Sequence, residues 1–347
     1  MKNKKSNKTF TKLSEIGEFE LISKLTKNVK LYNNSTVFGI GDDSAILDFG
    51  KKNVLVSSDM LVEGVHFDLS YMPLKHLGYK AIISNLSDIY SMNSQCSQVL
   101  VNLGVSNRFN LEAIEEVYFG INSACKNYGV DLVGGDTTSS NKGLIISVTA
   151  IGSKDSKSIV KRNGAKVNDL LVVSGDLGGA FLGLKILERE KEVFKVNPNN
   201  QPDLTNYKYV IQRQLRPEAR KDVIDFLSSS KIIPTSMIDI SDGLSSEILH
   251  ISKTSNVGIN LYENKIPMSD EMKLVCDEFN LNPTTIALSG GEDYELLFTI
   301  DQSSYDKIKN NPGLTIIGHV TEKKAGTNLI NSMDQKIEIK SQGWNSF

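Results

Sequence analysis

Aspartate recurs in this sequence at the ends of short apolar runs, beside glycine, serine or threonine. GIGDDSAIL sets Asp42 and Asp43 behind two glycines, VLVSSDM sets Asp59 behind two hydroxyls, and LVGGDTT sets Asp136 behind a glycine pair. MIDISDGL places Asp239 and Asp242 at a strand-to-helix junction, and NLSDI places Asp88 on a helix with Asn85 one turn earlier on the same face. Singly, each has a local explanation, because Asp and Ser are favoured helix caps and Asp-Gly forms turns. Asp42 in particular fits a turn cap. Asp88 resists that explanation: aspartate is a poor residue inside a helix, and beside an apolar stripe an unpaired carboxylate is costly. If the strand ends converge, the carboxylates repel one another and must protonate or bind cations. Magnesium suits such a site, since it takes oxygen ligands and is shared with substrate phosphates. Metal ions bridging phosphate oxygens carry much of the electrostatic work of phosphoryl transfer.

The glycine pairs Gly134-Gly135, Gly178-Gly179 and Gly290-Gly291 are the complementary signal. Glycine lets a backbone approach a ligand and aim N–H groups at an anion, although Gly178-Gly179 reads more simply as a tight turn. The sequence has no G-x-x-x-x-G-K-[ST] loop, and GIGDDS lacks the third glycine of a dinucleotide fingerprint. No protein-kinase signature set and no nucleophile elbow occur, so covalent catalysis has no support. His66, His76, His250 and His319 are scattered, with no pair at metal-ligand spacing. A lone histidine is ordinarily structural. His66, after Glu63-Gly64, is the best placed of the four to meet a substrate.

Elements that would position these residues follow from periodicity. Helices are expected over 18–25, 74–92 (with Pro73 in the first turn), 111–128, 179–187, 222–229, 245–253 and 271–279. Strands are expected over 54–57, 65–67, 98–105, 131–133, 144–152, 170–173, 237–240, 258–261, 294–299 and 315–320. Residues 196–206, with two prolines and four asparagines, read as a loop. Both halves mix strands and helices, so the class is α/β or α+β. At 347 residues two domains are expected, divided at the polar stretch 153–158 into 14–153 and 154–347, with 1–13 a disordered tail. Lys+Arg of 39 against Asp+Glu of 41 gives a net charge of −2, with no basic field for nucleic acid. The longest apolar run, within 144–151, falls far short of the ~20 residues of a membrane helix. The three cysteines form no C-x-x-C, which suggests reduced thiols in a cytoplasmic protein.

The motifs GEFELI at Gly17, GIGDDSAIL at Gly39, SSDMLVEGVHFD at Ser57, NLSDI at Asn85, LVGGDTT at Leu132, KRNGAKVNDLLVVSG at Lys161, DISDGL at Asp239 and SGGEDYELLFT at Ser289 together resemble the thiamine-monophosphate kinase family. They stand in that family's order and run nearly to the C-terminal GWNSF. The resemblance implies ATP-dependent phosphorylation of thiamine monophosphate to thiamine diphosphate. It also implies the fold shared with aminoimidazole ribonucleotide synthetase: an N-terminal half with a four-stranded sheet, through which the chain forms a homodimer, and a larger C-terminal half. By the same resemblance Asp43, Ser57, Ser58, Asp59, Asp88, Asp136, Asp239 and Asp242 hold several magnesium ions, directly or through water. Tyr118, Gly135, Asp136, Arg162 and Ser241 meet ATP; His66, Glu292 and Trp344 line the thiamine phosphate site; Asp43, Asp88, Asp136 and Asp242 are the catalytic carboxylates. Departures from the family pattern are small: Ser58 for the usual Thr, Asn93-Ser94 for Gly-Ala, Asn168 for Gly, and Ser346 for His near the C-terminus.

Three other functions stay open at this level. A sister enzyme of the same fold is one, although a selenophosphate synthetase would carry a reactive cysteine near its N-terminus, and the first here is Cys96. The hydrogenase-maturation relative would end in cysteine, and this sequence ends in Phe347. A magnesium-dependent phosphatase would also use clustered aspartates, and a nucleotide-binding sensor would bind ATP without turnover.

Overall fold

The computed structural model describes residues 36–38, 41–199 and 201–340. The expected tail 1–13, the helix expected over 18–25 and Trp344 lie outside these residues. Among them the chain builds two sheets. The first holds β1 (Thr36–Phe38), β2 (Ala45–Asp48), β3 (Asn53–Val62), β4 (Gln95–Val105), β5 (Asp131–Ser139) and β6 (Leu144–Lys154), in spatial order β1-β2-β3-β6-β4-β5. It has six strands rather than four: β3, β6, β4 and β5 are the long ones, and the short β1 and β2 extend the β3 edge. The strand expected over 65–67 is instead a turn, closed by Glu63 and Phe67, in which Gly64 takes φ +79°. The alternation of Val65 and Phe67 misled because the chain reverses at Gly64, where only a residue without Cβ is unstrained.

Two helices accompany this sheet. α1 (Leu74–Ser91) lies against β3, β4 and β6, and α2 (Leu111–Tyr128) packs on α1. The α1–α2 contact is backbone to backbone: a Cβ on Gly78 would stand 2.0 Å from the Val117 carbonyl oxygen, and one on Gly120 would stand 1.9 Å from that of Lys75.

The second sheet holds β7 (Leu170–Ser174), β8 (Ser236–Asp239), β9 (Gly258–Tyr262), β10 (Leu296–Ile300), β11 (Leu314–Thr321), β12 (Thr327–Ile330) and β13 (Lys336–Glu338), in order β13-β12-β9-β11-β7-β10-β8. Its helices are α3 (Gly179–Val196), α4 (Lys208–Leu215), α5 (Lys221–Ser229), α6 (Leu244–Ser255), α7 (Asp270–Glu278), α8 (Pro283–Ser289) and α9 (Tyr305–Ile308). The edge strand β8 touches α1, so α1 lies between the two sheets. Accordingly 14 of its 18 residues are buried, and they include Lys80, Ser84, Asn85 and Ser87. Polar side chains enclosed on a central helix must find partners, and Asn85 and Ser87 find theirs at the site.

Candidate functional site

Three carboxylates from three separate elements meet beneath this junction. Asp43 comes from the loop before β2, Asp88 from the last turns of α1 and Asp239 from the end of β8; one oxygen of each lies within 4.8 Å of the others. The surrounding side chains orient them. The Ser57 hydroxyl donates to Asp88, and the Ser87 hydroxyl donates to Asp239 at 2.6 Å. The Asp59 backbone N–H donates to Asn85 Oδ1 at 3.0 Å, which ties β3 to α1. Asn85 and Asp88 thus serve the site from one face of the helix, as their spacing implies.

Electrostatics register the crowding. Burial pushes the Asp88 carboxyl well above the carboxylate range, and Asp59, Asp239 and Asp43 push it further. Burial and Asp43 raise Asp239 to about 7, burial and Asp43 raise Asp59, and burial and Asp43 bring Asp42 to about 6. Arg162 closes one side: its guanidinium pairs with Asp43, and its backbone N–H donates to Asp42 Oδ2 at 3.1 Å. A shallow hollow lined by residues 41–45, 56–59, Asp88 and Arg162 opens onto the cluster. Asp43 Oδ2 is buried there with no hydrogen-bond partner. An orphaned carboxylate oxygen amid further hard oxygen donors fits a magnesium-type cation.

Asp242, in the turn three residues beyond Asp239, is half-buried and is not one of the three clustered carboxylates. Its backbone N–H donates to Glu247 Oε1 at 3.1 Å, and Glu247 is buried in the first turn of α6. Burial, then Asp242 and Asp239, raise the Glu247 carboxyl well above its usual range. Glu247 and Ser87 belong to this site although the Asp motifs did not single them out. The available signal was spacing: Glu247 stands five residues after Asp242, and Ser87 precedes Asp88.

Asp136 is placed elsewhere. Asp59, Val148, Val101 and Gly135 stand in one lateral row across β3, β6, β4 and β5. Three strand spacings put the β5 end of that row roughly 14 Å from Asp59. There Tyr118 and residues 132–137 line a second hollow, with Asp136 in its wall. Gly135 is required by close approach: a Cβ would sit 1.7 Å from the Val101 carbonyl oxygen, and φ is +153°. Ser58 faces the opposite side of the sheet from Ser57, and its hydroxyl bonds Val148 O and Thr149.

The GGEDYE segment divides its labour. Asp293 is buried and accepts from the Gly178 N–H at 2.6 Å and the Ala180 N–H at 3.2 Å, capping α3. Gly178-Gly179 is thus a turn whose anion is the protein's own. Glu295 binds Arg213 at 2.9 Å and Arg220 at 2.5 Å. Of the segment's three carboxylates only that of Glu292 stays partly exposed; the residue has φ +65°, and its Oε1 lies 2.9 Å from Lys80 Nζ. Its backbone N–H donates to the carbonyl of Ser241, which joins this loop to the DISDG turn. His66 is exposed and accepts the Val62 N–H at Nδ1, 3.0 Å.

Buried carboxylates meeting between two sheets, with one hollow opening onto them and a second along β5, suit an α/β phosphotransferase. Residues 41–153 match the family described as AIR synthase related protein, N-terminal domain. The thiamine-monophosphate kinase of Aquifex aeolicus is 36% identical over 338 residues, covering 97% of this chain and 100% of that one. That of Bacillus subtilis is 34% identical, covering 95% and 99%. A solved structure described as AaThiL complexed with AMPPCP and TMP superposes with a TM-score of 0.83 at 33% identity, covering 97% of this chain and 99% of that chain. The chain belongs to the thiamine-monophosphate kinase family.

Proposed function

We propose that this chain transfers the γ-phosphoryl group of ATP to thiamine monophosphate, giving thiamine diphosphate and ADP. The observation that carries the reading is the meeting of Asp43, Asp88 and Asp239 from three elements and both sheets. It is supported by full-length likeness to thiamine-monophosphate kinases.

The acceptor is a phosphate-monoester oxygen, whose second pKa of about 6 leaves it anionic at neutral pH. It attacks the γ-phosphorus directly while the bond to the bridging oxygen of ADP breaks, so no strong general base and no phosphoenzyme are required. What must be overcome is repulsion between two polyanions. Asp43, Asp59, Asp88 and Asp239, with Ser57 and Asp242, would hold several magnesium ions, which would supply the positive charge that neutralises and aligns the phosphates. Ser58 does not offer its hydroxyl, which is turned to the other side of the sheet. Arg162 adds fixed positive charge at the ATP phosphates. Tyr118, Gly135, Asp136 and Ser241 bind ATP, with Asp136 also a metal ligand on the nucleotide side. Glu292, His66 and Trp344 take the thiamine monophosphate.

The same reading assigns residues 14–153 and 154–347 to two domains, supported by the change of sheet between β6 and β7. It makes the protein a cytoplasmic homodimer, without nucleic-acid or membrane partners. Three free, buried cysteines suit a reducing compartment, and among the described residues no helix is long and apolar enough to cross a membrane.

The test is a single assay of purified protein with ATP, magnesium chloride and thiamine monophosphate. Thiamine diphosphate is read as its thiochrome after chromatography, and ADP and free phosphate are measured alongside. Magnesium-dependent product with equimolar ADP is expected. Free phosphate without thiamine diphosphate would point to a phosphatase, and ATP binding without turnover would point to a sensor.

A further inference from the structure

Lys80 is an unusual residue for its place. It sits in α1 with 2% of its surface exposed, flanked by Tyr79 and Ala81, where a leucine would pack at no electrostatic cost. An ammonium group removed from water is expensive unless it is paired and hydrogen-bonded. Its Nζ is 2.9 Å from Glu292 Oε1 and donates to the Gln214 carbonyl at 3.2 Å. Gln214 is 3% exposed, and its Nε2 donates to the other oxygen, Glu292 Oε2, at 2.9 Å. Each oxygen of one carboxylate therefore has its own buried donor. Gln214 Oε1 is left buried without a partner, so the amide is turned toward Glu292 at the expense of its own acceptor.

The backbone beneath is held as firmly. Glu292 and Tyr294 both occupy the left-handed region, at φ +65° and +52°, where side chains are strained. Hydrogen bonds from their N–H groups to Ser241 O and Ile240 O fix them, while Asp293 between them caps α3. Backbone strain and two buried donors, one of them an enclosed ammonium, converge on one carboxylate that keeps 32% of its side chain open.

We infer that Lys80 and Gln214 are positioning residues that clamp Glu292 toward the acceptor substrate. Lys80 is too buried to touch substrate itself and acts through Glu292. The clamp also couples the two ends of the site, because Lys80 and Asp88 stand eight residues apart on α1, about 12 Å along the helix axis. The inference rests on the reading of Glu292 as an acceptor contact.

Steady-state kinetics of Lys80→Met, Gln214→Met, Glu292→Gln and the double variant K80M/E292Q test it. A hydrogen bond to a charged group is worth enough for about tenfold in KM. Lys80→Met and Gln214→Met are each expected to raise KM for thiamine monophosphate by about that factor. Their kcat is expected within about threefold of wild type and KM for ATP unchanged, since only acceptor positioning is lost. K80M/E292Q is expected to be no worse than Glu292→Gln alone, because the lysine acts only through that carboxylate. If Glu292→Gln raises KM for thiamine monophosphate while Lys80→Met and Gln214→Met do not, the clamp is refuted and the role of Glu292 stands. If Glu292→Gln leaves that KM unchanged, the reading of Glu292 falls and the clamp falls with it. Equal loss in kcat and in both KM values, with a lowered Tm, would show a merely structural role. Should Lys80→Met fail to fold, Gln214→Met decides, since it removes the second donor without exposing a charge.

Discussion

Burial and the neighbouring Asp43 bring the Asp239 carboxyl to about 7, far above the ordinary 3.8, and the direction of that shift has consequences. The folded protein holds this proton more tightly than the unfolded chain does. The group therefore stabilises the cation-free fold below its unfolded value, and that contribution is lost as pH rises through about 7. A cation binds the ionised form, so its affinity moves the opposite way. Titration of magnesium calorimetrically at pH 6 and pH 8 is expected to give tighter binding at pH 8. Titration in two buffers at pH 6 is expected to show protons released on binding; pH-independent affinity would contradict the assignment of Asp239 as a ligand. Asp88→Asn is the sharper probe, since the amide keeps the shape and removes the charge. Loss of one preorganised electrostatic group costs turnover roughly 10²–10³-fold, while Tm is expected to hold or rise as repulsion from Asp59, Asp239 and Asp43 is relieved. Turnover near wild type would refute a metal role for Asp88.

Between residue and fold stands α1, which carries Lys80, Asn85, Ser87 and Asp88 and is placed by glycine contact with α2. A methyl group on Gly78 would overlap the Val117 carbonyl, so Gly78→Ala must push the helices apart. Overpacking of this kind costs about 3 kcal/mol, read from urea unfolding, and activity is expected to fall further than stability because Asp88 and Lys80 move with the helix. Unchanged unfolding midpoint and turnover would show that α1 is not held by this contact. The helices of the first half were legible: 111–128, with a clear apolar stripe, is as expected, and 74–92 exceeds α1 by its cap residue Met92. Most of the expected strands were legible in place but came out short, whereas 65–67 is a turn and the short β1, β2, β12 and β13 were not foreseen. The expected 131–133 runs to Ser139, since Gly134, Gly135 and Asp136 look like a loop in sequence and stay extended only through pairing with β4. α4 and α8 were not foreseen: their turns are short, and α8 is announced only by its Asn282 cap and Pro283. The carboxylates were legible as types and positions. Their meeting was not, because it joins a loop, a helix and a strand of the other sheet, and no local pattern encodes that. The same holds for the separation of Asp136, which only the lateral register across four strands reveals.

At the scale of the molecule, one core runs from Leu55, Val99 and Val148 of the first sheet through Leu86 and Ile89 of α1 to Val172, Met237 and Phe298 of the second. The Tyr79 and Tyr128 hydroxyls both donate to Glu218, at 2.8 and 2.5 Å, across the same junction. The side of the first sheet away from α1 is different. Strand alternation puts Val54, Val56, Ser58 and Met60 of β3 there, with Thr149 and Ile151 of β6 beside them in register and Ile145 further along. Met60 is 55% exposed, and Val133 of β5 is 56% exposed. A broad, largely uncharged sheet face of this sort is the surface that the proposed homodimer would bury. A stable pair needs about 800 Å² from each partner, and four long strands are enough to supply it. Light scattering after size exclusion is therefore expected to give twice the chain mass of 38.3 kDa for the wild type. In the combined variant Met60→Glu and Ile145→Glu, opposed carboxylates in the interface would be left unpaired on desolvation, and a single-chain mass with unchanged circular dichroism is expected. Wild-type protein running at the single-chain mass at micromolar concentration would refute the dimer. A variant that stays dimeric would place the interface on some other face.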